Sequence, residues 1–325
     1  MKDVVVVGAT GFTGRYLVAS ILCQKEIKLR VLVHRNSLND LFSKNNITVI
    51  KGDLLCPETL DKLCVENATV INLAYLRNQP GKDNLTAINN LIEACVKAKI
   101  SRFIQCSTAA VFGRVSIDIV TENTKCNPVN EYEIVKMKIE EAVLERTSSV
   151  CDAVILRPTA IFGPEGKNLL KLSNDLRSGN KAANYLKACL YNERRMNLVS
   201  VYNIAAAIIF LMQTDRKINR EVFIISDDEF PTNNYAYVEN CLIKGLGLAG
   251  YPLPITPVPY FILKMLLRLA GKSNFNPRCI YSCQKLLNSG FKKTLLFEDG
   301  LTDFVNWYKH YSEARTTGEG QKSVL

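Results

Sequence analysis

Histidine is nearly absent from this chain: His34 and His310 are the only two in 325 residues, and there is one tryptophan. Eleven cysteines are present, but no two stand in a C-x-x-C arrangement. Paired Cys/His zinc ligation is therefore not expected, and only Cys279 and Cys283, four apart, are spaced to share a helix face. The chain opens Met1-Lys2-Asp3 and runs straight into Val4–Val7, lacking the longer apolar region and small-residue cleavage site of a secretory signal. Its longest nearly uncharged apolar stretch, Val199 to Met212, falls short of the roughly 20 residues that a membrane-spanning helix needs. These absences point to free thiols in a reducing, cytoplasmic setting. Internal repeats and low-complexity tracts are lacking as well.

What is there suits a folded chain with a large core: 47% hydrophobic and 22% charged residues, which excludes a disordered or fibrous protein. The net charge is +10. Residues 1–160 hold 20 basic and 17 acidic side chains, the remainder 21 and 14, so the excess sits mainly in the C-terminal half. That half is expected to meet something anionic. No basic run interleaves with aromatics, so nucleic acid is not expected, and a phosphorylated small molecule or an anionic membrane surface fits better.

Strand and helix signals alternate over the first 160 residues. Val4–Val7, Arg30–Val33, Thr48–Ile50, Thr69–Leu73, Arg102–Cys106 and Ala153–Leu156 read as strands. Helical stripes run over Arg15–Leu22, Asn84–Lys99 and Tyr132–Arg146. This alternation predicts an α/β, Rossmann-like, doubly wound parallel sheet. Val199–Met212 reads as a strand end leading into a buried helix, and Glu221–Ser226 as another strand. Residues 160–196 and 227–312, with Pro252, Pro254, Pro257 and Pro259 close together, are assigned to a smaller α/β substrate-binding lobe. Residues 1–159 and 197–226 are assigned to the dinucleotide-binding domain, and 313–325 to a flexible tail.

Gly8-Ala9-Thr10-Gly11-Phe12-Thr13-Gly14 lies between the first strand and the first helix. Glycines there allow a tight turn and close backbone approach, while the helix aims free N–H groups and its positive dipole end at a pyrophosphate. The spacing is G-x-x-G-x-x-G, and here the chain resembles the short-chain dehydrogenase/reductase superfamily, in its extended branch of nucleotide-sugar epimerases, dehydratases and reductases. Further segments match in order: Gly52-Asp53-Leu54, Asn72-Leu73-Ala74, the run Cys106 to Gly113, Tyr132 with Lys136, Leu156-Arg157-Pro158, Phe162-Gly163-Pro164, and Gly290-Phe291 through Trp307-Tyr308. The resemblance implies cofactor contacts from Gly8, Thr10, Gly11, Phe12, Thr13, Gly14, Asp53, Leu54, Leu73, Ala74, Tyr75, Lys136, Pro158 and Ile161.

The second strand ends Val33-His34-Arg35-Asn36-Ser37 with no acid to accept from the ribose hydroxyls of NAD. Arg35 offers a bidentate fork suited to a 2′-phosphate, so NADP(H) is favoured, with NAD(H) the alternative. Tyr132 and Lys136, four apart on a helix, share a face. A tyrosine whose ordinary pKa is ~10 moves a proton near neutrality only with a cation beside it. The resemblance makes Thr108, Tyr132 and Lys136 a catalytic triad, with Ser107 beside the substrate. The family's 4,6-dehydratases carry Asp-Glu after the catalytic threonine; Ala109 and Ala110 stand there instead, so dehydration is disfavoured. Arg194, Arg195 and Arg278 are candidates for a nucleotide diphosphate, and Asn203 replaces an aspartate common in similar proteins.

The expected activity is 4-keto reduction or 4-epimerisation of a nucleotide sugar, in glycan biosynthesis. A hydroxysteroid or lipid-alcohol dehydrogenase is the second enzymatic reading, and a dinucleotide-binding regulatory protein the non-enzymatic one. The resemblance also implies a homodimer. Residues 260–271 read as a short helix with Lys264, Arg268 and Lys272 in one cationic stripe, either buried in the lobe or resting on an anionic membrane.

Overall fold

Val4 to Val7, the four consecutive valines, are fully enclosed and form most of strand β1 (Lys2–Val7). A strand apolar on both faces belongs in the middle of a parallel sheet with helices above and below. In the computed structural model, which describes residues 2–24, 26–34, 47–271 and 273–316, it occupies that place. The chain continues through α1 (Phe12–Leu22), β2 (Ile27–Val33), β3 (Ile47–Lys51), β4 (Thr69–Asn72), α2 (Gly81–Ala98), β5 (Arg102–Cys106), β6 (Ile119–Val120), α3 (Glu131–Thr147), β7 (Asp152–Pro158) and β8 (Ala160–Phe162). It then forms α4 (Lys167–Ser178), α5 (Lys181–Tyr191), β9 (Leu198–Ser200), α6 (Val201–Gln213), β10 (Glu221–Ile225), α7 (Tyr235–Gly245), α8 (Tyr260–Leu269), β11 (Ile280–Tyr281), α9 (Gln284–Asn288) and α10 (Phe297–Thr316). No helix among the described residues is long and apolar enough to cross a membrane.

Seven strands pair in the order β3-β2-β1-β4-β5-β7-β10, every pair parallel. The chain leaves β1 toward one edge, then returns to lay β4 on its other side. That reversal opens a crevice at the carboxyl ends of β1 and β4, where a doubly wound sheet receives its ligand. One face is covered by α1 and α6 through Leu17, Val18, Ile21, Ile204, Ile208 and Leu211. The other is covered by α2 and α3 through Ile88, Leu91, Ile92, Val135, Ile139 and Val143. A third cluster, with Phe162, Leu169, Leu198, Val238, Phe297 and Phe304, joins α4, α7 and α10 to the short β8–β9 pair. The segment after β11 returns to the main core, where Leu286 and Phe291 pack with the α1–α6 side.

The structure extends several elements beyond their hydrophobic stripes. Helix α2 begins at Gly81 rather than Asn84, because Glu131, fifty positions later, accepts a hydrogen bond from the Gly81 N–H (3.1 Å). Strand β2 starts at Ile27, three residues before its apolar run, held by pairing along β1. Helix α10 reaches Thr316; residues 317–325 lie outside the described residues.

Candidate active site

The turn after β1 is built for close approach. Gly8 takes a positive φ of 84°, and a Cβ there would lie 2.9 Å from the Ala74 nitrogen. A Cβ on Gly14 would fall 2.2 Å from the Gly8 carbonyl, so neither position accepts a side chain without backbone movement. Gly11 is the N-cap of α1 and supplies no side-chain cap, leaving the first helical N–H groups to an external acceptor. Thr10 is exposed at the mouth of this turn, and Thr13 is half-buried in the first helical turn. Phe12 turns away from the mouth: its ring meets the Gly163–Gly166 turn, where a Cβ on Gly166 would approach Phe12 Cζ at 2.9 Å. The ring therefore packs the helix start against the segment after β8.

The opposite lip is the end of β4. Leu73 N–H donates to the Val7 carbonyl (2.9 Å), and Ala74 N–H to Asn72 Oδ1 (3.1 Å). Leu73 and Ala74 thus face the glycine turn across the switch point, while the Tyr75 ring lies with Tyr132 and Lys136. Asp53 and Leu54 follow β3 on the same edge of the sheet; Asp53 pairs with His34 at 3.1 Å and also accepts from Leu55 N–H (2.9 Å). Pro158 closes β7, and Ile161 lies in β8 opposite Val199. Arg35 lies outside the described residues, as does Lys272.

Helix α3 carries the reacting pair. Asn130 caps it and Glu133 completes a capping box, which sets the helix start one residue before Tyr132. The i, i+4 spacing then directs Tyr132 and Lys136 to one side, toward the end of β5. Lys136 is buried, and its Nζ donates to the Cys106 carbonyl (3.0 Å) and lies 5.4 Å from the Tyr75 ring centroid. Burial lowers its pKa from the ordinary lysine value, while Glu140 pulls it back up. Tyr132 packs edge-on against Tyr75 with centroids 5.0 Å apart. Desolvation raises the Tyr132 phenol pKa; the nearby Thr108 hydroxyl and the charge of Arg77 act in the opposite sense. Thr108 caps the short 3-10 turn Ala109–Phe112, with its Oγ1 accepting from Ala110 N–H (3.2 Å). Beside it, Ser107 is buried and its Oγ has no hydrogen-bond partner. A buried hydroxyl left unpaired is costly unless a ligand completes it.

Behind this cluster, Arg157 of β7 and Glu140 of α3 form a buried bidentate pair, with Nη2 to Oε2 at 2.6 Å. The Arg157 guanidinium also covers the Phe112 ring at 4.9 Å. One helical turn past Lys136, this pair fastens α3 to the sheet. In front, Tyr75, Arg77, Gln79, Gly81, Glu131 and Tyr132 line an open cleft of about 450 Å³. Sequence reasoning missed Arg77 and Glu140. The signal for Glu140 was its place four residues after Lys136; for Arg77 it was a lone cation just beyond β4.

The three arginines assigned to a diphosphate do not line this cleft. Arg195 N–H donates to the Pro277 carbonyl (2.9 Å), which lays residues 194–195 beside 277–278. The Arg195 guanidinium donates through Nη1 alone to the carbonyls of Phe230 (2.9 Å) and Pro231 (3.3 Å), so that nitrogen serves the turn before α7. Arg194 lies over the Tyr191 ring at 5.3 Å, and the exposed Arg278 over the Tyr260 ring at 4.1 Å.

Solved structures share this fold. The dTDP-glucose 4,6-dehydratase of Bacillus anthracis str. Ames, in complex with NAD, is 19% identical with a TM-score of 0.73 over 96% of this chain and 98% of that one. The UDP-glucuronic acid 4-epimerase of Bacillus cereus, with NAD, is 18% identical, TM-score 0.73, over 99% and 100%. The UDP-glucose 4-epimerase of Thermus thermophilus, also with NAD, is 18% identical, TM-score 0.70, over 94% and 99%. The model of the NAD dependent epimerase/dehydratase family matches residues 4–226, which contain the glycine turn, Thr108, Tyr132 and Lys136, and the chain belongs to that family.

Proposed function

We propose that this protein is an NAD(P)-dependent enzyme that reduces a 4-keto group or epimerises C4 of a nucleotide sugar, with Thr108, Tyr132 and Lys136 as its catalytic residues. The observation that carries the reading is the junction of β5 and α3: Tyr132 at the open cleft with Thr108 near enough to bear on its phenol, Lys136 buried one turn along with its Nζ on the Cys106 carbonyl, and an unpaired Ser107 Oγ next to Thr108. The glycine turn, clear of side chains, and the uncapped start of α1 fit a pyrophosphate. Bound there, a nicotinamide dinucleotide supplies a hydride acceptor or donor. Tyr132 takes or gives the proton at the reacting carbinol or ketone oxygen, and Thr108 donates a hydrogen bond to the same oxygen. Lys136 spends one of its three N–H donors on Cys106, leaving others for a ribose hydroxyl while its charge favours the phenolate. Ser107 Oγ takes a polar group of substrate or cofactor.

Ala109 and Ala110 bring no carboxylate to the site, so redox or epimerisation is favoured over water elimination. Arg194 and Arg278 are the proposed diphosphate ligands; Arg195 is assigned to holding the 230–231 turn instead. Residues 1–159 with 197–226 serve the dinucleotide, and 160–196 with 227–312 the sugar nucleotide, in a cytoplasmic enzyme. NADP(H) is proposed as the dinucleotide on the strength of Arg35 and the absence of an acid at the end of β2. Mass spectrometry of the purified protein tests the assignment. Exchangeable NADPH supports a reductase and tightly held NAD an epimerase, which must return its hydride to the same substrate. A protein that binds neither dinucleotide would overturn the proposal.

A further inference from the structure

Helix α8 has two unlike sides. Leu263 and Leu267 are buried, at 2% and 5% exposure, and fasten it to the fold. Phe261 (73%), Leu269 (76%), Met265 and Leu266 face out, and the proline-rich lead-in adds exposed Leu253 and Ile255. This apolar face is rigidly presented. Tyr185 Oη donates to the Pro254 carbonyl (2.9 Å), Val258 N–H to the Cys189 carbonyl (3.0 Å), and Tyr260 Oη to Glu193 (3.1 Å). Large apolar side chains left exposed in this number on one short helix and its lead-in mark a surface that meets another phase or molecule.

Charge decides between occupants. Lys264 and Arg268, one turn apart, are both exposed on α8, and no Asp or Glu occurs from Tyr251 to Gly271. A second copy seated on this face by a two-fold axis would bring these cations together in a desolvated interface, where the nearest carboxylate the contacts place beside the helix, Glu193, is already held by Tyr260. An anionic bilayer accepts both features: acyl chains take the apolar side chains and headgroups take the cations. Ten residues, about 15 Å of helix, are too few to span, so the helix would lie flat in the interface. We infer that α8 and its lead-in, residues 253–269, form a docking face for an anionic membrane surface. The inference is independent of the catalytic reading.

Co-sedimentation of the full chain with vesicles tests it. Binding to phosphatidylcholine–phosphatidylserine vesicles at low salt is expected, weakening as salt rises and on pure phosphatidylcholine. Phe261→Ser with Leu269→Ser should weaken partitioning by about tenfold or more without lowering Tm, since both side chains are exposed. Lys264→Gln with Arg268→Gln should remove the preference for phosphatidylserine. A Phe261→Trp variant should add emission that brominated acyl chains quench. No sedimentation at low salt, binding indifferent to these variants, or a dimer dissolved by the serine pair would each overturn the inference, the last by assigning the face to a second copy.

Discussion

Asn203 shows how one atom type can decide a buried site. Its Nδ2 donates to Asp227 Oδ1 (3.2 Å) and the Leu295 carbonyl (2.9 Å), while its Oδ1 accepts from Thr294 and Leu295 N–H (3.0 and 3.1 Å). Asp227 is fully buried and paired with Lys293 (2.7 Å). An aspartate at 203 would set a second carboxylate against Asp227 and a carbonyl. Asn203→Asp should cost about 1–3 kcal/mol. Because the repulsion raises the new carboxyl's folded-state pKa, the deficit is full above that pKa and shrinks as pH falls through the carboxylate range; thermal unfolding at several pH values reads it. At Tyr132 the expectation is catalytic: Tyr132→Phe should reduce turnover by roughly two to four orders of magnitude with dinucleotide affinity little changed, whereas Lys136→Met should damage both. Normal turnover by the phenylalanine variant would remove the triad assignment. Arg35→Ala should weaken NADP(H) by ~1.5–3 kcal/mol and spare NAD(H), and equal calorimetric losses for the two dinucleotides would exclude a 2′-phosphate role.

At the scale of the element, α3 is the part on which the site depends. Its Tyr132–Lys136 spacing was legible from residues four positions apart, because helix geometry is local, whereas the Asn130–Glu133 capping box that sets its start at Glu131 was not read from the hydrophobic stripe. Nor was its tie to the sheet. Glu140 and Arg157 are both nearly inaccessible, and their bidentate contact joins a helix to a strand. Glu140→Ala would strand a buried guanidinium, with an expected loss of about 3–5 kcal/mol in chemical denaturation. Exchanging both partners for apolar residues should cost much less. If the pair also positions Lys136, the double variant will keep its stability while losing turnover, a split that a purely structural role would not produce. The ends of α2 and β2 escaped the hydrophobic pattern for the same reason, since Glu131 and the β1 ladder reach them from elsewhere.

Across the whole molecule, the C-terminal third is woven into the first. Leu286 and Phe291 join the cluster under α1 and α6, and α9 packs against β10. Heating should therefore unfold the sheet and that segment together, in one calorimetric transition rather than two. Two resolved transitions would show that the sheet holds without that segment. Leu286→Ala, at a fully buried position, should lower the whole transition by about 2–5 kcal/mol.

By itself the sequence determined the alternation of strands and helices, the glycine turn and the shared face of Tyr132 and Lys136, since each depends on spacing within about one turn or one strand. Only the tertiary structure decided which cations meet the cleft. It placed Arg77 beside Tyr132, turned Arg195 to the carbonyls at 230–231, and left Phe261 and Leu269 in the open while burying Leu263 and Leu267. A side chain's charge is written in the chain, but its partners come from segments tens to hundreds of residues away, and only their packing selects one orientation.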